Sequence, residues 1–207
     1  MKHSRTIDKL AKMLAYVLGR HPDEFGLIPD EDGYVKTKDL VKALSEEDGW
    51  RHIRLSHIRE VIHTQRACVV EMADNRIRSA DRSRLQVVRT ADHPPKLLYH
   101  AIRQRAHAFV VERGVQGASV GSRIVLAADI EMARRIGRRI DASPVILTVN
   151  TQQAENKGVR LRFAGGQLYL ADGLPPGCFH APPLPKTTVT AKQPAKPDPP
   201  PRAKTPG

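Results

Sequence analysis

The spacing of the apolar residues changes once along the chain, and that change limits the folds open to it. Before Arg89 they recur every three or four residues in three stretches, as in helices that bury one face, and close on a pair of β-like runs; beyond Pro95 short β-like runs dominate. Leu10, Met13, Leu14, Val17 and Leu18 share one face of a first helix. "DEDGYV" (Asp30–Val35) reads as a turn feeding a short extended piece. Thr37 is the expected cap of a second helix that turns Leu40, Val41 and Leu44 inward. A third helix, from His52 to His63, carries Ile53, Ile58, Val61 and Ile62 on its inner side. "ACVVEM" and "RIRSA" then flank Ala73-Asp74-Asn75, which predicts a hairpin. Three helices followed by a hairpin predict a winged-helix lobe over residues 1–88, an architecture that offers its third helix to a nucleic-acid groove.

"RTADHPP" (Arg89–Pro95) is polar and broken by proline, and the domain boundary is placed there. Beyond it "KLLYHAI", "RIVLAAD", "PVILTVN", "VRLRFA" and "QLYLAD" predict strands, the last two joined through Gly165-Gly166. Asp129 caps a helix whose inner side carries Ile130, Met132, Ala133 and Ile136. Residues 96–180 thus read as a second, β-rich lobe, and the chain as α+β. Residues 181–207 turn to Pro, Lys, Thr and Ala without apolar periodicity, the composition of a disordered basic tail.

A formal net charge of +12 points to a polyanionic partner, nucleic acid first. Aromatic residues make up only 4% of the chain, so stacking platforms for single strands must be sparse. Cys68 and Cys178 stand far apart without metal or redox spacing, which suits a reducing compartment. No apolar run reaches membrane-spanning length and no signal-peptide pattern opens the chain, so a cytoplasmic protein is expected. The histidines are scattered without HExxH or a Cys/His cluster, and Gly114-Val115-Gln116-Gly117 lacks the Lys-Ser/Thr of a P-loop and reads as a turn.

Arginines recur at the ends of elements: Arg20, Arg76, Arg78, Arg123, Arg138 and Arg139. Their planar, permanently charged forks would hold a pyrophosphate or phosphomonoester if several converged on one cleft. The first helix ends at Arg20-His21-Pro22. Taken alone, that pair is either two cations complementing the helix dipole or half of an anion-handling site.

The order of the motifs decides between these readings. "LAYVLGRHP", "GL" and "DEDGYV", followed by "RIRSA", "LLYHAI", "RRIGRRIDASPVILTV" and "KGVRLRFAGGQLYLADGLPPGCF", resemble in sequence the KptA-type RNA 2′-phosphotransferases across residues 7–179. The resemblance implies a winged-helix lobe joined to an ADP-ribosyltransferase-like lobe that takes NAD as co-substrate and needs no metal. The implied reaction removes an internal RNA 2′-phosphate through an RNA 2′-phospho-ADP-ribose intermediate. It yields RNA 2′-OH, nicotinamide and ADP-ribose 1″,2″-cyclic phosphate, a reaction of tRNA splicing and RNA repair. Carried over by motif, Arg20, His21, Arg78 and Arg139 are the catalytic set, and His100 and Arg123 contact the nucleotide. The partner is RNA bearing a 2′-phosphate, and the protein is expected to be monomeric and free of membranes.

Departures from the pattern bear on the pocket. The family's Ala-Asn-Gln-Gly-His-Ser is here Ser79-Ala80-Asp81-Arg82-Ser83-Arg84, its His-Gly-Thr is His100-Ala101-Ile102, and its His-Val-His-Leu has become Ile124-Val125-Leu126. The added β-carbon of Ala101 and the lost hydroxyl at Ile102 imply weaker NAD binding. Two alternatives remain: NAD-dependent ADP-ribosylation of nucleic-acid 5′-phosphate ends, and a noncatalytic winged-helix nucleic-acid-binding protein.

Overall fold

An amphipathic face explains each of the first three helices in the computed structural model, which describes residues 2–64, 69–117 and 123–184. Helix α1 (Lys2–Gly19) buries Ile7, Leu10, Leu14, Val17 and Leu18 along one stripe. It packs on α3 (Leu55–Thr64), whose Ile58 and Val61 are buried, and near α2 (Thr37–Ser45), which contributes Leu40, Ala43 and Leu44. A three-stranded antiparallel sheet closes this core, with β3 (Arg76–Ser79) between β1 (Val35–Lys36) and β2 (Val70–Ala73). The β2–β3 hairpin turns through Asp74-Asn75, where Asp74 takes a positive φ of 53°. An aspartate tolerates that left-handed conformation better than most residues.

Thr37 does not cap α2. It is the first helical residue, Lys36 holds the cap position, and the buried Thr37 hydroxyl has no hydrogen-bond partner among the described residues. Its amide donates instead to the Asn75 carbonyl (2.8 Å), which ties the helix start to the hairpin turn.

The second half builds a seven-stranded sheet in which every neighbouring pair is antiparallel. Its order is β12 (Phe179–His180), β8 (Val145–Asn150), β5 (Leu97–Ile102), β7 (Ile124–Ala127), β10 (Leu168–Ala171), β9 (Arg162–Gly165) and β4 (Arg89–Thr90). Strand alternation divides the apolar residues between two faces. One face holds Leu98, Leu126, Leu147, Val149 and Tyr169, covered by α4 (His107–Arg113) and α6 (Thr151–Asn156). The other holds Ala127, Leu168 and Leu170 beneath α5 (Ile130–Arg138), and Ile28 from the first half packs there too. Asp129 caps α5 as expected, accepting from the Met132 amide at 2.9 Å. A short pair, β6 (Val115–Gln116) with β11 (Gly173–Leu174), lies beside the main sheet.

Three readings of the chain are amended. Arg89 and Thr90, within the expected linker, form the edge strand β4 against Phe163 and Arg162. Gly114 ends α4 with φ 82° and leads into β6, so the 114–117 segment is a helix end plus a strand. Ala181 packs against the second core and the Pro182 carbonyl lies 2.9 Å from His107 Nε2, while residues 185–207 of the expected disordered tail lie outside the described residues. Among the described residues no helix is long and apolar enough to cross a membrane.

Candidate functional site

The last turn of α1 is pressed against the exit of β3. A β-carbon on Gly19 would stand 2.8 Å from Ser79 Oγ and 2.9 Å from the Asp81 carbonyl oxygen, so only glycine fits without displacement. This contact puts Arg20, one residue after Gly19, beside the strand end that Arg78 precedes by one residue. The amides of Arg20 and His21 both donate to the Tyr16 carbonyl at 3.1 Å, closing the helix before Pro22. Arg20 is exposed and has no carboxylate within ion-pair distance among the described residues. It lies close enough to Asp81 to help lower that carboxyl, which the Ser83 amide and hydroxyl lower more.

His21 is oriented by two neighbours. Its ring packs on Tyr16 at 5.1 Å between centroids, and its Nδ1 lies 3.4 Å from Glu24 Oε1. The Tyr16 hydroxyl donates to the other Glu24 oxygen at 2.7 Å, a bond that raises the phenol's pKa. Tyr16, His21 and Glu24 therefore form one polar unit at the helix end.

Arg78 projects from β3 opposite the buried Ile77. Its Nε donates to Glu71 Oε2 at 2.7 Å, a terminal nitrogen lies 2.7 Å from the same oxygen, and the other donates to the Asp32 carbonyl at 3.1 Å. The guanidinium also sits 4.4 Å from the Tyr34 ring centroid, with Arg76 at 4.9 Å from the same ring. Arg76 in turn donates to Asp30 at 3.2 Å. Two of the five Arg78 N–H groups carry none of these bonds, and the side chain keeps 22% of its exposure.

Arg139 is placed very differently. Its side chain is only 6% exposed, and four hydrogen bonds occupy it. Nε and one terminal nitrogen donate to the two oxygens of Glu46 at 2.7 and 2.8 Å. The terminal nitrogens also donate to the carbonyls of Phe25 (2.6 Å) and Gly26 (3.2 Å). One turn earlier on α5, Arg135 donates to Glu46 (2.7 Å), to Glu47 and to the Glu24 carbonyl (3.1 Å). Burial raises the Glu46 carboxyl, but the two arginines outweigh that and hold it below its ordinary value. The carbonyls of residues 24–26, directly after His21-Pro22, are thus pinned to α5. The structure brings Arg20 and His21 together with the Arg78 strand, and it commits the Arg139 fork to this clamp.

His100 and Arg123 belong to the large sheet. Strands β5 and β7 share a single ladder pair, Tyr99↔Ala127, and His100 Nδ1 bridges the gap beyond it to the Val125 carbonyl at 2.7 Å. Burial lowers the His100 pKa against the opposing effect of that carbonyl, which favours a neutral ring with Nδ1–H donating and Nε2 left as an acceptor. Arg123 is exposed just before β7. The Ala101 methyl does not point toward His100's side of the strand: a β-carbon on Gly137 of α5 would stand 2.7 Å from it. This methyl packs between strand and helix.

The sequence profile of the RNA 2′-phosphotransferase, Tpt1/KptA family matches residues 4–173. The chain belongs to that family. Its members are transferases, and the relatives include a "Probable RNA 2′-phosphotransferase" of Acetivibrio thermocellus, 30% identical over 81% of this chain and 92% of the relative. Proteins of the same printed name from Bacillus thuringiensis and Pyrococcus horikoshii are each 28% identical, covering 84% and 83% of this chain and 95% and 96% of the relatives.

In this RNA 2′-phosphotransferase family member, sequence reasoning passed over the residues that hold the candidate side chains: Gly19, Tyr16, Glu24, Glu71, Glu46 and Arg135. Two of these carried a signal. Glu24 stands three residues after His21, and a two-residue turn at Asp74-Asn75 makes Glu71 the cross-strand partner of Arg78. Glu46 and Arg135 lie 89 residues apart, beyond any local rule.

Proposed function

We propose that this family member is an NAD-dependent RNA 2′-phosphotransferase. In this reading residues 1–88 form a winged-helix lobe that receives RNA. Residues 96–180 form an ADP-ribosyltransferase-like lobe that receives NAD. The observation that carries the reading is the Arg20-His21 turn, wedged by Gly19 against the β3 exit and pinned from the other side by α5.

The residues fit the co-substrate. With Nδ1 held by the Val125 carbonyl, His100 keeps Nε2 as an acceptor for a ribose hydroxyl where β5 and β7 part after their single ladder pair. Arg123 stands at the start of β7 to meet a nucleotide phosphate. NAD, when bound, supplies an electrophilic ribose carbon and a nicotinamide leaving group.

Arg78, held in place, and the exposed Arg20 bind the RNA 2′-phosphate between them, which aligns an intrinsically weak nucleophile. As charge develops on the phosphoryl oxygens, Arg78 stabilises it without reorganising, because Glu71 and Tyr34 already orient it. His21, steadied by Tyr16 and Glu24, moves a proton at the ribose hydroxyl. Arg139 is a positioning residue here: with four N–H groups already spent, it holds the Phe25 and Gly26 carbonyls and through them the turn carrying His21.

The deciding experiment incubates the protein with NAD and a short RNA bearing an internal 2′-phosphate, followed by mass analysis. The expected products are RNA 2′-OH, nicotinamide and ADP-ribose 1″,2″-cyclic phosphate. ADP-ribosylated 5′-phosphate ends without the cyclic product would replace this reading with end modification, and absence of any NAD turnover would overturn both.

A further inference from the structure

Away from the Arg20-His21 turn, at the opposite end of β10, lies a cavity of about 410 Å³. Three cations from three separate elements converge on it: Arg113 at the end of α4, Lys157 after α6, and Arg160 before β9. Val159 and Leu174 are among its apolar lining residues. The cavity is open to solvent, a depression that can take one unit of a longer strand lying across the surface.

The charge there is poorly compensated. Among the described residues Arg160 has no carboxylate at ion-pair distance, and Arg113 reaches only its exposed chain neighbour Glu112, at 3.9 Å. Lys157 donates to the Pro176 carbonyl at 2.5 Å, which keeps its charge. The one acidic residue in the lining, Asp172, is met by Arg162 at 3.4 Å, so it does not neutralise the three. Apolar lining residues beside three weakly compensated cations suit a ligand with an apolar face and an anionic edge, which is the chemistry of a nucleotide unit.

We infer that this cavity is a second RNA-binding site, which takes a nucleotide of the strand through its phosphates while the 2′-phosphate is handled at the Arg20-His21 turn. The inference rests on the proposed RNA reaction for the second half of that statement only; binding at the cavity is measurable without turnover. Arg113 and Arg160 displace cations condensed on the phosphates of a strand long enough to span both sites, so the cavity adds to affinity in a salt-dependent way. A strand confined to the first site gains nothing from it.

The test compares the full chain with R113Q/R160Q and with R113K/R160K. Fluorescence anisotropy with long and short single-stranded RNA, without NAD, is followed across a salt series. The double glutamine variant should bind long RNA several-fold more weakly at low salt. Its log–log salt slope should be shallower by about 1.4, the value for two single-strand phosphate contacts. Short-RNA binding and the melting temperature should hold, and the lysine pair should restore long-RNA affinity, since phosphate needs only the charge. Unchanged long-RNA affinity and slope in the folded glutamine variant would overturn the site. So would NAD binding, by calorimetry, that disappears with the same substitutions, because the cavity would then belong to the co-substrate. Loss of 2′-phosphotransfer in the unmodified protein, with the salt effect intact, would remove the proposed reaction and leave this site standing.

Discussion

The arginines of the candidate site differ in what their forks are free to do. Arg78 keeps two N–H groups for a phosphate, whereas Arg139 spends four of five on Glu46 and two backbone carbonyls. Lysine at position 139 would keep the charge and lose the simultaneous grip on carboxylate and carbonyls. Arg139→Lys is therefore expected to lower the melting temperature and kcat together, while Arg78→Lys should lower turnover with little change in melting; parallel melts and rates distinguish the two. His100 yields a pH prediction. Its folded pKa lies below the ordinary 6.5, so the unfolded chain binds the extra proton first and stability falls as pH drops below about 6.5. His100→Gln should flatten that acid limb of the urea-unfolding profile, and an unaltered limb would dismiss His100 as its source. At Ala101 the methyl meets Gly137, so Ala101→Gly is expected to open a small gap at the helix contact and leave the KM for NAD unchanged.

Helix ends and strand ends, more than their middles, assemble the site. Gly19 lets the end of α1 approach Ser79 and the Asp81 carbonyl; Gly19→Ala must move backbone as well as the flexible serine side chain. It should reduce kcat by an order of magnitude or more with a stability loss near 1 kcal/mol, a typical cost for mild overpacking. Retained kcat would show that the α1–β3 approach does not matter for turnover. Between α2 and α5, Glu46 is the shared carboxylate of two arginines. Glu46→Gln leaves the nearly buried Arg139 charge without its anion, and an unfolding loss of about 2–3 kcal/mol is expected, less than for a fully buried pair because Glu46 is 27% exposed. The lowered Glu46 pKa gives the wild-type protein stability that is present above pH 4.5 and disappears as pH falls through the folded value; the variant should lack that dependence.

For the molecule as a whole, the two halves are joined by a polar clamp and a small apolar patch. Glu46, Glu47 and the residue 24–26 carbonyls meet Arg135 and Arg139, and Ile28 packs under α5. Gly166, with φ 50°, brings the β9–β10 turn against Asp23 where any β-carbon would collide. Such a seam holds the His21 turn beside the large sheet. The C-terminal boundary is testable in the same frame. Removing residues from 185 onward should leave the melting temperature unchanged. Removal from Ala181 should lower it, because Ala181 packs on the second core and the Pro182 carbonyl meets His107. Equal melting of the two truncations would show that these contacts contribute nothing.

Periodicity alone was enough to place the first helices, the Asp74-Asn75 hairpin, the Asp129 cap and the main strands, because each is a local pattern of burial or backbone geometry. Motif order also singled out Arg20, His21 and Arg78, whose neighbours in the chain are diagnostic together. It missed that Thr37 lies inside its helix, that Arg89-Thr90 pair as an edge strand, and that α4 and α6 exist: short elements carry too few periods to read. The state of Arg139 and the direction of the Ala101 methyl were decided only by packing. Glu46 and Arg139 lie 93 residues apart, and nothing local to either reveals that burial will force the charged fork onto that carboxylate. A side chain's identity is written in the chain, but whether its donors remain free for a ligand depends on which distant groups the fold brings within hydrogen-bonding distance.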